Sequence, residues 1–146
     1  MRRAIAVHRR EAWPEDVAVD TVTLASVDRH RRRVRLVADS GEAYLLDLPR
    51  AHHLLDGDGL ELDCGGYLRV RAAPEPLFEI EADEPADLLR IAWHLGNRHL
   101  PLQLTGERLR IRADHVIAEM VVGLGGRITC LEAPFDTETG AYHEHD

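Results

Sequence analysis

Histidine is the residue type with the most chemical capacity in this chain. Nine occur in 146 residues, an unusually high count, beside only two cysteines, Cys64 and Cys130, which lack metal-ligand spacing. His99 follows Gly96-Asn97-Arg98, a helix-ending segment, at the mouth of the next strand. A turn there lets a rigid scaffold aim a side chain outward, although a lone histidine in such a turn reads equally well as a surface hydrogen-bonding residue. His115 stands beside Asp114 in the first turn of a second predicted helix. The positive end of a helix disfavours an imidazolium and so favours the neutral ring that metals require. Glu119, one turn along the same face, is placed to orient that ring; the plainer reading is an Asp114 cap with His115 packed at its rim. His143 and His145 form a His-x-His pair able to close on one ion with little strain. His94 lies with Asp87 and Arg90 on the polar side of the first helix and reads as solvated. His52-His53 falls in a predicted loop and is taken as structural.

A site built from these residues is rich in nitrogen, supported by oxygen and free of thiolate. Imidazole suits nickel, copper and zinc, with affinity rising toward copper, so geometry and supply must choose the metal. One chain's few aimed histidines make a poor cage. A two-fold dimer doubles each of them, and a residue near the axis meets its own copy. Such a site keeps open coordination positions, which suits an ion that is to be handed over.

The elements that must position these side chains divide into two halves, and the fold class expected is α+β. Residues 1–73 read as a small all-β domain. Strands are predicted at Ala4–His8, Val17–Leu24 (with a phase slip at Asp20-Thr21 that suggests a bulge), Val34–Ala38, Ala43–Leu48, Leu60–Asp63 and Tyr67–Val70. Turns are predicted at Asp39-Ser40-Gly41-Glu42 and Cys64-Gly65-Gly66, and the spacing suggests a small sandwich or barrel. Ala72-Ala73-Pro74-Glu75-Pro76 reads as a stiff linker. Residues 74–133 read as a ferredoxin-like βαββαβ domain. Phe78, Ile80 and Ala82 alternate in a strand, Pro85 opens a helix, and Leu88, Ile91, Ala92 and Leu95 form its stripe, with Gly96-Asn97 as its stop. Leu100–Leu104 and Leu109–Ala113 make a hairpin. Val116, Ile117, Met120, Val121 and Leu124 line a second helix stopped by Gly125-Gly126, and Ile128–Leu131 completes the sheet. Residues 134–146 are polar, aperiodic and expected to be a flexible tail.

Composition narrows the functional classes. The net charge is −8, and all 18 basic residues are arginine. An acidic balance opposes sequence-independent nucleic-acid binding, which needs cationic surface. The run Arg29 to Arg35 is a local basic strip, read first as an exposed strand face and second as a contact for an acidic partner. No apolar run approaches the roughly 20 residues of a membrane helix. The basic start leads into no signal-peptide block, and with the reduced cysteines this points to the cytoplasm.

The segment Trp93-His94-Leu95-Gly96-Asn97-Arg98-His99-Leu100-Pro101-Leu102-Gln103 resembles the signature of the UreE family of urease accessory proteins. So do Asp114-His115-Val116-Ile117-Ala118-Glu119-Met120 and the stretch from Ala133-Pro134-Phe135 to Ala141-Tyr142-His143. The likeness covers most of the second half. It implies a homodimeric, non-enzymatic chaperone that binds Ni(II) and passes it to the urease apoprotein assembly complex, chiefly through the urease accessory GTPase. Zinc and copper suit the same donors. By motif, His99 falls on an interface ligand given by both subunits, His115 on a further surface ligand, and His143 and His145 on a histidine-bearing C-terminus. The first domain implied is similar to a peptide-binding module of chaperones. Two departures bear on capacity. Ala113 stands where some members have a first histidine of a His-x-His, and the tail carries two histidines rather than a long tract. One or two ions per dimer is the capacity expected.

Two rival readings come from other classes. A small acid–base enzyme would use His115 with Glu119, or His94 with Asp87, but no nucleophile motif or phosphate-cradling loop accompanies them. A ferredoxin-like regulatory or RNA-binding module would need aromatics exposed on central strands, whereas Phe78 alternates in phase with the apolar face.

Overall fold

The computed structural model describes residues 1–138, so His143 and His145 lie outside the described residues. The chain divides into two compact units, one comprising Met1–Ala73 and the other beginning at Pro74.

The first unit holds β1 (Arg2–His8), β2 (Ala18–Leu24), β3 (His30–Val37), β4 (Ala43–His53), β5 (Gly59–Leu62) and β6 (Tyr67–Ala72). They form one mixed sheet in the order β2-β6-β5-β1-β4-β3, not two packed sheets. The sheet curls so that the turn after β3 reaches the middle of β2 at the opposite edge: Asp39 N–H donates to the Thr21 carbonyl at 2.8 Å. Alternation places Tyr44, Leu46, Leu48, Leu68 and Val70 in the core. The phase slip read at Asp20-Thr21 appears as a register shift between Ala18 and Asp20 against β6. His52-His53 is not in a loop but ends β4, with His53 opposite His30 and their rings stacked at 6.1 Å. Arg29 is not part of an exposed strip either. It is fully buried and donates from Nε to the Leu24 carbonyl (3.2 Å) and from Nη1 to that of Leu54 (3.1 Å). Carbonyl bonds of this kind are what make a buried guanidinium tolerable.

The second unit holds β7 (Pro74–Ala82), α1 (Pro85–Asn97), β8 (Gln103–Thr105), β9 (Arg108–Arg112), α2 (His115–Gly123) and β10 (Gly126–Pro134). Their sheet order, β10-β7-β9-β8, is that of a ferredoxin-like βαββαβ fold. Phe78, Ile80, Leu109 and Ile111 form the sheet side of the core, against Ile91 and Leu95 of α1 and Ile117 and Val121 of α2. The opposite face is charged. Glu79 accepts from Arg110 (2.9 Å) and Arg108 (3.0 Å), and Glu81 pairs with Arg108 (3.2 Å) and Arg127 (3.6 Å). The Arg110 hydrogen bond, with Arg108 beside it, holds the Glu79 carboxyl below its ordinary range. A depressed carboxylate stabilises the fold at neutral pH, and that contribution is lost as pH falls through the lowered value.

Two sequence expectations change here. Pro74 and Pro76 belong to β7 rather than to an irregular linker, pairing with Pro134 and Glu132 of β10. They lie beyond the end of β9, which first meets β7 at Leu77, so no second strand asks for the missing proline N–H groups. The C-terminal segment also stays ordered past Pro134. Phe135 is completely buried with the Arg112 guanidinium 5.3 Å from its ring centre, and the N–H groups of Asp136 and Glu138 bond Gln103 Oε1 and the Leu102 carbonyl. Residues 135–138 therefore do not belong to the flexible tail expected from the sequence. Phe135→Ala should destabilise the protein by about 3–5 kcal/mol in denaturant unfolding, the usual cost of emptying an aromatic site. Truncation after Pro134 should lower the unfolding midpoint below that of a chain truncated after Glu138, by about as much as Phe135→Ala does.

Candidate metal centre

α1 begins with Pro85 at its first position, where a missing N–H is harmless, and runs through Asn97. Gly96-Asn97 does not stop it. The stop comes one step later through paired hydrogen bonds: His99 N–H to the Gly96 carbonyl (3.0 Å) and Leu100 N–H to the Leu95 carbonyl (3.2 Å). This is the Schellman arrangement, and it requires a left-handed residue just past the helix. His99 is that residue, with φ of 58°. α2 closes its C-terminus with Gly125, whose φ is 94° and whose N–H reaches the Val122 carbonyl at 3.1 Å. The same kind of helix end thus carries glycine once and histidine once. For an L-residue the left-handed conformation costs on the order of 1–2 kcal/mol, a cost that a side chain kept for function can explain. Leu95 is buried and Leu100 partly so in one core cluster, a contact that commonly accompanies this motif. The imidazole of His99 is exposed.

His115 opens α2. Asp114 caps it, its Oδ1 accepting from the N–H groups of Val116 (2.9 Å) and Ile117 (3.3 Å). His115 and Glu119 are both exposed, one helical turn apart. Between the loop of His99 and that of His115 lies a cavity of about 290 Å³, lined by Leu100, Pro101 and Ile111 among others, with Asp114 on its far side. Leu100 follows His99 and Asp114 precedes His115, so a chain neighbour of each histidine lines this cavity, whereas neither imidazole does. His94 sits half-buried with its ring edge-on to Trp93, 5.0 Å between centres. The pairing of Trp93 with His94 has no signature in the sequence pattern. Trp93 and Leu89, one turn apart on α1, are 63% and 72% exposed, and Val116 on α2 is 70% exposed.

Among the described residues, no three histidine, cysteine, aspartate or glutamate side chains converge closely enough to hold an ion. Cys64 lies in the turn after β5 and Cys130 within β10, both exposed. No helix among the described residues is long and apolar enough to cross a membrane.

The sequence matches two family profiles end to end. Residues 2–73 match the N-terminal domain, and residues 75–146 the C-terminal domain, of the UreE urease accessory protein. The chain belongs to the UreE family. A urease accessory protein UreE from Rhodopseudomonas palustris (strain HaA2) is 55% identical over 142 residues, covering 97% of this chain and 66% of the relative. One from Bradyrhizobium sp. (strain BTAi1 / ATCC BAA-1182) is 52% identical over 144 residues, 99% of this chain and 69% of the relative. One from Chelativorans sp. (strain BNC1) is 50% identical over 133 residues, 90% and 84%. The chain thus spans about two thirds of the length of the first two. UreE proteins are nickel chaperones of urease maturation, so family membership sets aside the acid–base enzyme and the RNA-binding module.

The left-handed position of His99 gives a direct stability test. His99→Gly should stabilise the fold relative to His99→Ala by about 1 kcal/mol in chemical unfolding, since only the alanine keeps a Cβ at positive φ. Equal stability of the two variants would mean that the turn is not held as described.

Proposed function

We propose that this chain is a cytoplasmic nickel carrier that binds Ni(II) between two copies of itself and gives it up during urease assembly. His99 of each copy is the shared ligand, His115 is a second donor near the rim, and His143 and His145 complete the set. The observation that carries the reading is the backbone of His99. An imidazole sits where the turn favours glycine, exposed, at the negative end of a helix dipole, which favours a cation.

A second copy is invoked because one described chain gathers too few donors. The apolar pair Leu89 and Trp93 lies on the helix that ends at His99, and exposed apolar surface of this kind marks a contact face. A two-fold axis beside it sets His99 against its own copy. Described chain ends at Glu138, whose N–H is bonded to the Leu102 carbonyl, three residues from His99 in sequence. Five further residues lead to His143, a reach of up to roughly 17 Å at full extension, so both tail histidines can join the site. Zinc and copper would use the same donors. Hand-over to the urease accessory GTPase and the urease apoprotein assembly complex follows from a site with open positions.

Calorimetric titration with nickel, with mass followed by light scattering, tests this directly. The expected result is a dimer binding one or two ions, loss of the tight site in His99→Gly, and persistence of that variant's dimer. Replacing His143 and His145 by alanine should weaken binding or change stoichiometry without abolishing it. A strictly monomeric protein, or full affinity in His99→Gly, would overturn the proposal. Acidification should also release the metal, because a protonated imidazole cannot ligate. Bound nickel that stays constant from neutral pH to about 5 would exclude histidine ligation.

A further inference from the structure

The cavity beside α2 is left unexplained by the histidines. Leu100, Pro101, Ile111 and Ile117 give it apolar walls, and Arg112 and Asp114 bring polar groups to it. Its volume, about 290 Å³, lies below the usual range of pockets for separate small molecules, roughly 300–1,000 Å³. A cavity of about 150 Å³ already accepts benzene. The space therefore suits one aromatic side chain. Arg112 is engaged elsewhere, with Glu75 at 3.7 Å and with its guanidinium 5.3 Å from the centre of the Phe135 ring. Asp114 gives Oδ1 to the start of α2, while its Oδ2 accepts from no group among the described residues.

The C-terminal segment heads for this place. Asp136 N–H bonds Gln103 Oε1, and Glu138 N–H bonds the Leu102 carbonyl. It thus runs back along the loop that precedes β8, toward Pro101 and Leu100 in the cavity wall. Residues 139–146, which lie outside the described residues, contain a single aromatic, Tyr142. Four residues separate it from Glu138, a reach of up to roughly 13 Å. A buried tyrosine needs apolar walls for its ring and a partner for its hydroxyl; the cavity offers both.

We propose that the cavity is the seat of the chain's own Tyr142, its ring between Leu100, Pro101 and Ile117 and its hydroxyl donating to Asp114. The segment is then anchored one residue short of His143. This deepens the carrier reading and rests on it for its purpose: a segment already anchored loses less freedom when an imidazole closes on an ion. The anchor itself needs no metal.

Fluorine NMR of the full, metal-free chain labelled with 3-fluorotyrosine tests it. Tyr142 is one of three tyrosines, and Tyr142→Phe assigns its signal. That signal should be displaced from free fluorotyrosine and as broad as that of buried Tyr44. Ala113→Phe, which fills the cavity, should move it to the free position and leave the Tyr44 signal in place. In nickel titrations, Tyr142→Ala and Ala113→Phe should each weaken binding by roughly fivefold, and together no more than either alone. A narrow signal at the free position in the parent, or one still displaced in Ala113→Phe, would overturn the proposal. So would Ala113→Phe changing the mass in light scattering without moving the Tyr142 signal, which would assign the cavity to a second copy. A displaced signal that Ala113→Phe releases would uphold the anchor even if nickel failed to bind, so failure of the carrier reading is told apart from failure of this one.

Discussion

The metal chemistry proposed for this UreE depends on how one helix is made to stop. A helix that ends in a Schellman turn needs a left-handed residue at a fixed place, and the two N–H bonds that follow pin that residue's Cα. Leu95 and Leu100 bind the turn to the core on either side of His99. The imidazole therefore leaves from an anchored point although its side chain is in solvent. A ligand on a mobile loop would lose conformational freedom each time an ion arrived. A ligand on a pinned helix end has already lost it during folding, and the strain at φ of 58° is the visible trace.

His99 and His115 sit at helix ends of opposite polarity. The dipole at the C-terminus of α1 attracts a cation, while the N–H groups at the start of α2 repel one. Asp114 moderates this at α2 by accepting two of those N–H groups. With equal donors, an ion is then held more firmly beside His99 than beside His115. In the proposed carrier that asymmetry makes His99 the donor that retains the ion and His115 a donor that coordinates without competing.

Much of this architecture could be read from periodicity. The alternation of Phe78 and Ile80, the stripes of both helices and the order β-α-β-β-α-β were all legible, because each reflects a choice between core and water made at every second or third residue. What escaped reading depended on partners distant in sequence. Pro74 and Pro76 break regular structure in isolation, yet sit in β7 because only β10 flanks them there. Phe135 looked like part of a polar tail because a single aromatic carries no period, and its burial beside Arg112 is a purely tertiary fact. The site was half legible. Residue types and turn positions singled out His99 and His115 as candidate donors, but Gly96-Asn97 gave a more obvious helix stop than the one used. The left-handed turn at a histidine follows from where Leu100 must be buried, which local propensity does not encode.

The two faces of the second unit explain why copies should meet through its helices. On the open face of the sheet, Glu79, Glu81, Arg108, Arg110 and Arg127 already satisfy one another across strands. A second protein placed there would have to desolvate those pairs and gain little in exchange. On the helical face, Leu89, Trp93 and Val116 stand in water with nothing comparable to lose. In the proposed dimer, association is thus directed to the side from which α1 ends in His99. A closed charge ladder on one face and an unsatisfied apolar stripe on the other together favour an arrangement in which two imidazoles from different chains come to share one ion.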